Sequence, residues 1–248
     1  MSRLILPRRA LLKAGAAALI TSPTIIRKAS AQLAGGLMFP GPGTPHSAGG
    51  GTAFKWDSAA SSINNATFAS LDRDFTGSTS NFCSARATIG KTTGKWYCEI
   101  VVTCPTVTPT IELGICNAGF SLATGNYLGL VDKSGGYFWA NQQTIVSAAI
   151  TDHATVTGTQ NITSGDIIQL AGDFSSGSLW VGQNNTWKGT GANPATGTAP
   201  WLTFTAGSDT WYFAAMMSQP AGNISGGVAT LSATVTFSPP SGFTTINA

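Results

Sequence analysis

Two histidines, two glutamates and four cysteines are the side chains from which this 248-residue chain would have to assemble a catalyst or a metal centre. His46 lies in a Gly/Pro-rich stretch and His153 in the polar string Thr151-Asp152-His153. A serine–histidine–aspartate relay would need His153, because a tether cannot hold a base to the tolerance of proton transfer. The nearest nucleophile-like string, Gly119-Phe120-Ser121-Leu122-Ala123, lacks the final glycine and the strand-to-helix setting of a nucleophile elbow, and reads as a turn. Paired carboxylates for glycoside hydrolysis are the more serious enzymatic idea. Glu99 and Glu112 stand alone in separate apolar runs, however, and Asp72 and Asp74 flank Arg73 in a solvated-looking stretch. Glu99 is expected in a structural hydrogen bond or ion pair, with Arg86 as a candidate partner. No catalytic residue is assigned, and a cryptic hydrolase is the least favoured reading.

Metal chemistry finds as little. The cysteines have no CxxC spacing and no His/Cys/carboxylate cluster is visible. Asp132, Asp152 and Asp173 could lend loop carboxylates to calcium, but no EF-hand-like motif accompanies them. Phosphate-cradling Gly loops and basic clusters are missing too, so no cofactor and no nucleic acid is expected.

Charge is sparse, 9% of residues, and unevenly placed. Arg3, Arg8, Arg9, Lys13, Arg27 and Lys28 fall in the first 31 residues, where there is no acid. The remaining seven bases face ten acids, so the formal +3 becomes −3 from residue 32 onward. The opening string Pro7-Arg8-Arg9-Ala10-Leu11-Leu12-Lys13, a short Ala/Gly-rich apolar run and Ala29-Ser30-Ala31 make an n-region, an h-region and a small-x-small cleavage site. With adjacent Arg8 and Arg9 it resembles a bacterial twin-arginine signal, cleaved after Ala31. The apolar run is shorter than the roughly 20 residues that span a bilayer. Residues 1–31 are thus read as a signal, 32–52 as a Gly/Pro-rich tether, and 53–248 as the folded domain, exported to the periplasm or the exterior of a bacterium, with no membrane insertion in its mature form.

Positioning elements in that domain are short strands. Trp96, Cys98, Ile100 and Val102 alternate with Tyr97, Glu99, Val101 and Thr103; Ile111, Leu113 and Ile115 alternate likewise, and so do Leu231, Ala233, Val235 and Phe237. The runs 167–171 and 211–217 are more continuously apolar, which suits strands buried on both faces. Turn signals stand at Lys91-Thr92-Thr93-Gly94, Ser134-Gly135-Gly136 and Ser175-Ser176-Gly177. No segment has a sustained helical period, so the expectation is an all-β sandwich or barrel. Export permits disulfides. Cys98 and Cys116 fall nearly opposite if the strands around Ile100 and Leu113 form a hairpin; the alternative is four buried thiols.

A family resemblance sits on these elements. Gly94-Lys95-Trp96-Tyr97-Cys98-Glu99-Ile100 resembles the Gly-Lys-Trp-Tyr-x-Glu-Val strand of SPRY domains. Leu113-Gly114-Ile115 with Tyr127-Leu128-Gly129, Gly165-Asp166-Ile167-Ile168 through Leu179-Trp180 to Asn184-Asn185, Trp211-Tyr212-Phe213-Ala214-Ala215, and Pro239-Pro240-Ser241-Gly242-Phe243 follow in the family's order. The resemblance implies a two-sheet antiparallel β-sandwich, of concanavalin-like architecture, that binds a protein partner through loops at one edge without catalysis. The alternative is a carbohydrate-binding, lectin-like module. Trp96, Trp180 and Trp211 are expected in the core. Tyr127, Asp132, Tyr137, Trp139 and Trp187, near loops, are the candidate binding residues. Intact-mass measurement of the exported protein is expected to show a chain beginning at Gln32; a mass retaining residues 1–31 would overturn the signal assignment.

Overall fold

The structure, a computed structural model, describes residues 54–60, 66–77, 82–103, 110–123, 125–129, 133–138, 143–146, 149–152, 162–218 and 227–246. For 110, 138, 143–146, 149–152 and 218 it describes the backbone alone. All of these belong to one compact unit, Gly49–Ala248. Among them no helix is long and apolar enough to cross a membrane.

The described strands form two sheets. The larger contains β1 (Ala66–Ala69), β2 (Asp74–Gly77), β4 (Lys95–Thr103), β9 (Ile167–Asp173), β10 (Ser178–Gln183), β11 (Thr186–Trp187) and β14 (Val228–Leu231), in the order β1-β2-β14-β4-β9-β10-β11. Two short strands join it: β12 (Leu202–Thr203) on β10 and β15 (Thr244–Thr245) on β4. The smaller sheet runs β3-β13-β5-β6-β7-β8, from β3 (Cys83–Lys91), β5 (Thr110–Asn117), β6 (Ser134–Phe138), β7 (Gln143–Val146), β8 (Ala149–Asp152) and β13 (Trp211–Ser218). Every pairing is antiparallel except β15 with β4.

Side-chain alternation decides which residues meet between the sheets. Cys98, Ile100 and Val102 of β4, with Ile168 and Leu170 of β9, face Ile111, Leu113 and Ile115 of β5 and Phe213, Ala215 and Met217 of β13. The outer faces are covered as well. On the large sheet Tyr97, Ala171 and Trp180 pack with Phe243 from the C-terminal segment. On the small sheet Cys116, Ala214 and Met216 pack with Phe120, Leu122 and Leu128. The largely apolar runs 167–171 and 211–217 are therefore covered on both sides, as suits strands of that pattern.

Four features depart from the sequence reading. Lys91-Thr92-Thr93-Gly94 does turn the chain, but it carries it from β3 in one sheet to β4 in the other instead of closing a hairpin. Ser134-Gly135-Gly136 is strand, not turn. A methyl group on Gly114 would lie 2.1 Å from the Gly135 carbonyl oxygen, and one on Gly136 would lie 2.6 Å from the Glu112 side chain. These glycines serve close strand packing, which the turn statistics of glycine conceal. The strand expected over 231–237 ends at Leu231, because the amides of Thr236 and Phe237 go to the Glu99 carboxylate. Finally, β4 and β5 lie in opposite sheets, with Cys98 facing the interior and Cys116 the outer face. The proposed Cys98–Cys116 pairing is thereby corrected: both are free and buried.

Gly114→Ala is expected to lower stability by about 2–3 kcal/mol, because the clash is with backbone that cannot step aside. Gly207→Ala, whose methyl meets nothing within 4 Å, is expected to fall within about 0.5 kcal/mol of the parent. Urea titrations of both variants check the contrast.

Candidate functional site

The two glutamates share burial and nothing else. Glu99, on the outer face of β4, accepts the Tyr97 hydroxyl at Oε1 (2.7 Å), the Phe237 N–H at Oε1 (2.8 Å) and the Thr236 N–H at Oε2 (2.6 Å). Gln169 donates to the same tyrosine oxygen at 3.1 Å and accepts the Asn185 N–H at 2.6 Å. Burial and the neighbouring Glu99 raise the Tyr97 phenol far above its ordinary value. Arg86 is no partner of Glu99: it sits in the other sheet, 3.5 Å from Asp57 and over the Tyr212 ring. Glu112, on the outer face of β5, has neither oxygen in a hydrogen bond of good geometry. Desolvation pushes its pKa well up, and the nearby Leu128 N–H offsets only part of that. The two carboxyls lie in different sheets, one capped by the Tyr97 hydroxyl and two backbone amides, the other with its pKa raised by desolvation, so they do not form a hydrolytic pair. Asp72 and Asp74 are likewise engaged, the first with Lys55 and Ser58, the second with Ser70 and Thr230.

A second polar cluster closes the rim between β9 and β10. Burial raises the Asp166 carboxyl, but bonds from the Thr163 N–H, Asn184 and Gln183 outweigh it and hold the group below its ordinary value. Lys188, 1% exposed, has its ammonium pushed down to about 8 by desolvation, with Asp166 opposing.

A cleft opens at the end of the sandwich where β5 finishes and β6 and β13 begin. About 430 Å³ in volume, it is walled by Asn117, Lys133, the stretch 205–209 and Trp211. Its geometry is set by backbone. The Asn117 N–H donates to the Lys133 carbonyl at 2.8 Å, and the Ala118 N–H to that of Thr210 at 3.0 Å. The β9–β10 turn supports the stretch from behind: Gly177, at φ 73°, leaves room for the Phe204 carbonyl 2.0 Å from where a methyl would stand. Asn117 accepts the Gly119 N–H at 3.0 Å and donates to Asp209 Oδ2 at 2.9 Å, which aims the carboxylate. Trp211 is 2% exposed, and its indole N–H has no partner.

The residues proposed from sequence scatter. Tyr137 is fully buried, its ring edge-on to Trp201 at 4.5 Å, and burial raises its phenol pKa. It is a core residue, which corrects its place among the binding candidates. Tyr127 is half-buried against Phe82 over the small sheet, and Trp187 is half-buried over Gly182 on the outer face of the large one. Asp132, Trp139, His46, His153, Arg8, Arg9 and Ala31 lie outside the described residues. Trp180 and Trp211 are core, whereas Trp96 is half-buried beneath the Lys91 ammonium at 3.6 Å. The cleft was not legible, because its wall comes from three distant segments. The only local sign was the turn-forming string Gly207-Ser208-Asp209.

The same substitution is expected to act oppositely on the two glutamates. Glu99→Gln leaves a backbone N–H facing an amide donor and should lower stability by about 2–3 kcal/mol. Glu112→Gln should raise stability at neutral pH. The native state keeps this proton while the unfolded chain loses it near pH 4.3. The contribution is full below that pH and lost as pH rises through the higher native pKa. Denaturation curves from pH 4 to 8 check both signs: the Glu112→Gln advantage should vanish at the acid end.

No protein family matches this sequence, and no curated protein does. Among solved structures the chain is similar to the SPRY domain of human HERC1, at 14% identity and a TM-score of 0.52, over 71% of this chain and 96% of that one. It is also similar to the TRIM65 PSpry domain, at 11% identity and a TM-score of 0.49, over 73% of this chain and 89% of that one. At such identities the likeness speaks to fold, and the fold of this chain is that of a SPRY-like, two-sheet antiparallel β-sandwich.

Proposed function

We propose that this is an exported, non-catalytic recognition module that binds a protein partner through loops at one edge of the sandwich. The observation that carries the reading is Leu71. Among the described residues it is the exposed large hydrophobic side chain, 88% open to solvent, at the tip of the β1–β2 turn. The turn that presents it is conformationally expensive. Ser70, Leu71 and Asp72 hold φ of 53°, 60° and 63°, left-handed values that cost non-glycine residues about 1–2 kcal/mol each. Neighbours hold it there. Asp72 accepts the Lys55 ammonium at 2.7 Å and the Ser58 hydroxyl at 3.2 Å, and its carbonyl accepts the Trp56 N–H at 2.8 Å. That Lys55 hydrogen bond also lowers the Asp72 pKa. Trp56 is buried and donates its indole N–H to the Ala229 carbonyl at 2.9 Å, which ties the turn to the core.

A rigid turn holding one apolar side chain in water suits insertion into a partner's pocket, where burial contributes about 1.5–3 kcal/mol and little ordering entropy is lost. The likeness to the HERC1 SPRY domain agrees with a recognition role. Export rests on residues 1–31: the paired Arg8 and Arg9 and cleavage after Ala31 would deliver the module to the periplasm or beyond.

A photo-crosslinking residue at position 71, expressed in the native host, should capture a discrete protein that the same residue at position 208 does not. Leu71→Asp should abolish that association while leaving the melting temperature unchanged. Undiminished association of Leu71→Asp would sink the assignment.

A further inference from the structure

We propose that Lys188 and Gln183 join in an intramolecular isopeptide bond, formed by the chain itself with Asp166 as proton carrier, which closes the β10–β11 hairpin covalently. This is a self-modification, independent of the recognition role of the Leu71 turn.

The hairpin register brings the reacting side chains together. Gly182 pairs with Trp187 and Gln183 with Thr186, and the Lys188 N–H continues the ladder onto the Val181 carbonyl at 2.8 Å. Trp187 lies over Gly182 on the outer face of the sheet. Val181, Gln183 and Lys188 therefore share the opposite face, where Val181 belongs to the core between the sheets. Gln183 and Lys188 are buried there together with Asp166. The two are diagonal neighbours on that face, a separation of about 7–8 Å between backbones that long side chains cross. The tight turn that joins them, with Asn184 and Asn185 at φ of 49° and 65°, holds the register.

Asp166 is fixed against the amide that would leave. Its Oδ2 accepts the Gln183 Nε2–H at 2.7 Å and the Thr163 N–H at 2.7 Å, and its Oδ1 accepts the Asn184 Nδ2–H at 2.7 Å. Those bonds favour the carboxylate. Lys188 feels this charge, yet desolvation brings its ammonium down to about 8, so roughly a tenth of the molecules carry the free amine at neutral pH. A desolvated amine is an activated nucleophile. Its lone pair attacks Gln183 Cδ, and the new N–C bond forms as the carbonyl π pair moves to Oε1. Asp166 takes one proton from the attacking nitrogen and passes it to Gln183 Nε2, which it already holds. Collapse of the tetrahedral carbon breaks the Cδ–Nε2 bond and releases ammonia. No oxidant or co-reactant enters. The product is a neutral amide in place of an ionisable amine, which relieves the interior of a charge that is costly to bury.

The test is peptide mass spectrometry of the full chain, denatured and reduced before trypsin digestion. Lys133 and Lys188 are the last two trypsin sites. A linked chain should resist cleavage after Lys188 and yield one fragment, 134–248, about 17 Da lighter than its sequence through the loss of one ammonia. Reading the fragment excludes the same loss from cyclisation at Gln32. Fragmentation should place the branch between Lys188 and Gln183. Asp166→Asn should leave Lys188 open to trypsin, and Gln183→Leu should do the same. The parent chain decides by itself should either variant fail to fold. Full cleavage after Lys188 in the parent, a branch from Lys188 to Asn184 or any other residue, or complete linkage in Asp166→Asn would each overturn the proposal.

Discussion

The buried carboxylate of Glu99 is the constraint on which the outer face of the large sheet depends. A carboxyl group buried that far from water costs stability unless its oxygens are hydrogen-bonded. The Tyr97 hydroxyl and two successive backbone amides meet that demand. Those amides belong to residues 236 and 237, so the requirement of one side chain in β4 dictates the course of a segment far away in sequence. The chain leaves β14 at Leu231 and is held first by the Ser232 N–H on the Glu99 carbonyl. It returns as β15 alongside β4, where the Ile246 N–H reaches the Tyr97 carbonyl at 2.9 Å. Phe243 is thereby laid edge-on to Trp180, and the aromatic face of the sheet is closed to solvent.

A domain with so few charges uses them locally. Lys55, Asp72 and Ser58 shape one turn, Asp173 caps the β9–β10 turn through the amides of Ser175 and Ser176, and Asp166 gathers three donors at the rim.

Much of the fold was readable from the hydrophobic pattern, because β4 and β5 place their interior apolar residues two apart, while the unbroken apolar run of β13 marks a strand covered on both faces. The errors have a common source. Glycine at 114, 135 and 136 marks backbone approach as readily as it marks a turn, and only the neighbouring strand reveals which. The turn at 91–94 could not announce that it changes sheets. The hairpin assumed between β4 and β5 brought Cys98 to Cys116 on paper, whereas the two occupy opposite layers. The candidate sites were less readable still. Tyr137 has the composition of a surface aromatic beside glycines and proves to be interior. Asn117, Lys133 and Asp209 carry no shared motif and converge only through three separate segments of chain.

The unpaired thiols bear on when this chain folds. Cys98 is fully buried, with its thiol pKa well above the ordinary value through desolvation and the nearby Glu99, and burial takes that of Cys116 to about 12. Disulfide exchange proceeds through the thiolate and through access to sulfur, and the native packing denies both. The unfolded chain offers the same cysteines freely. Acquiring the native packing in a reducing compartment, before any oxidant is met, would carry the molecule past the stage at which mispaired crosslinks trap it. The sandwich would then act as the redox protection of its own cysteines.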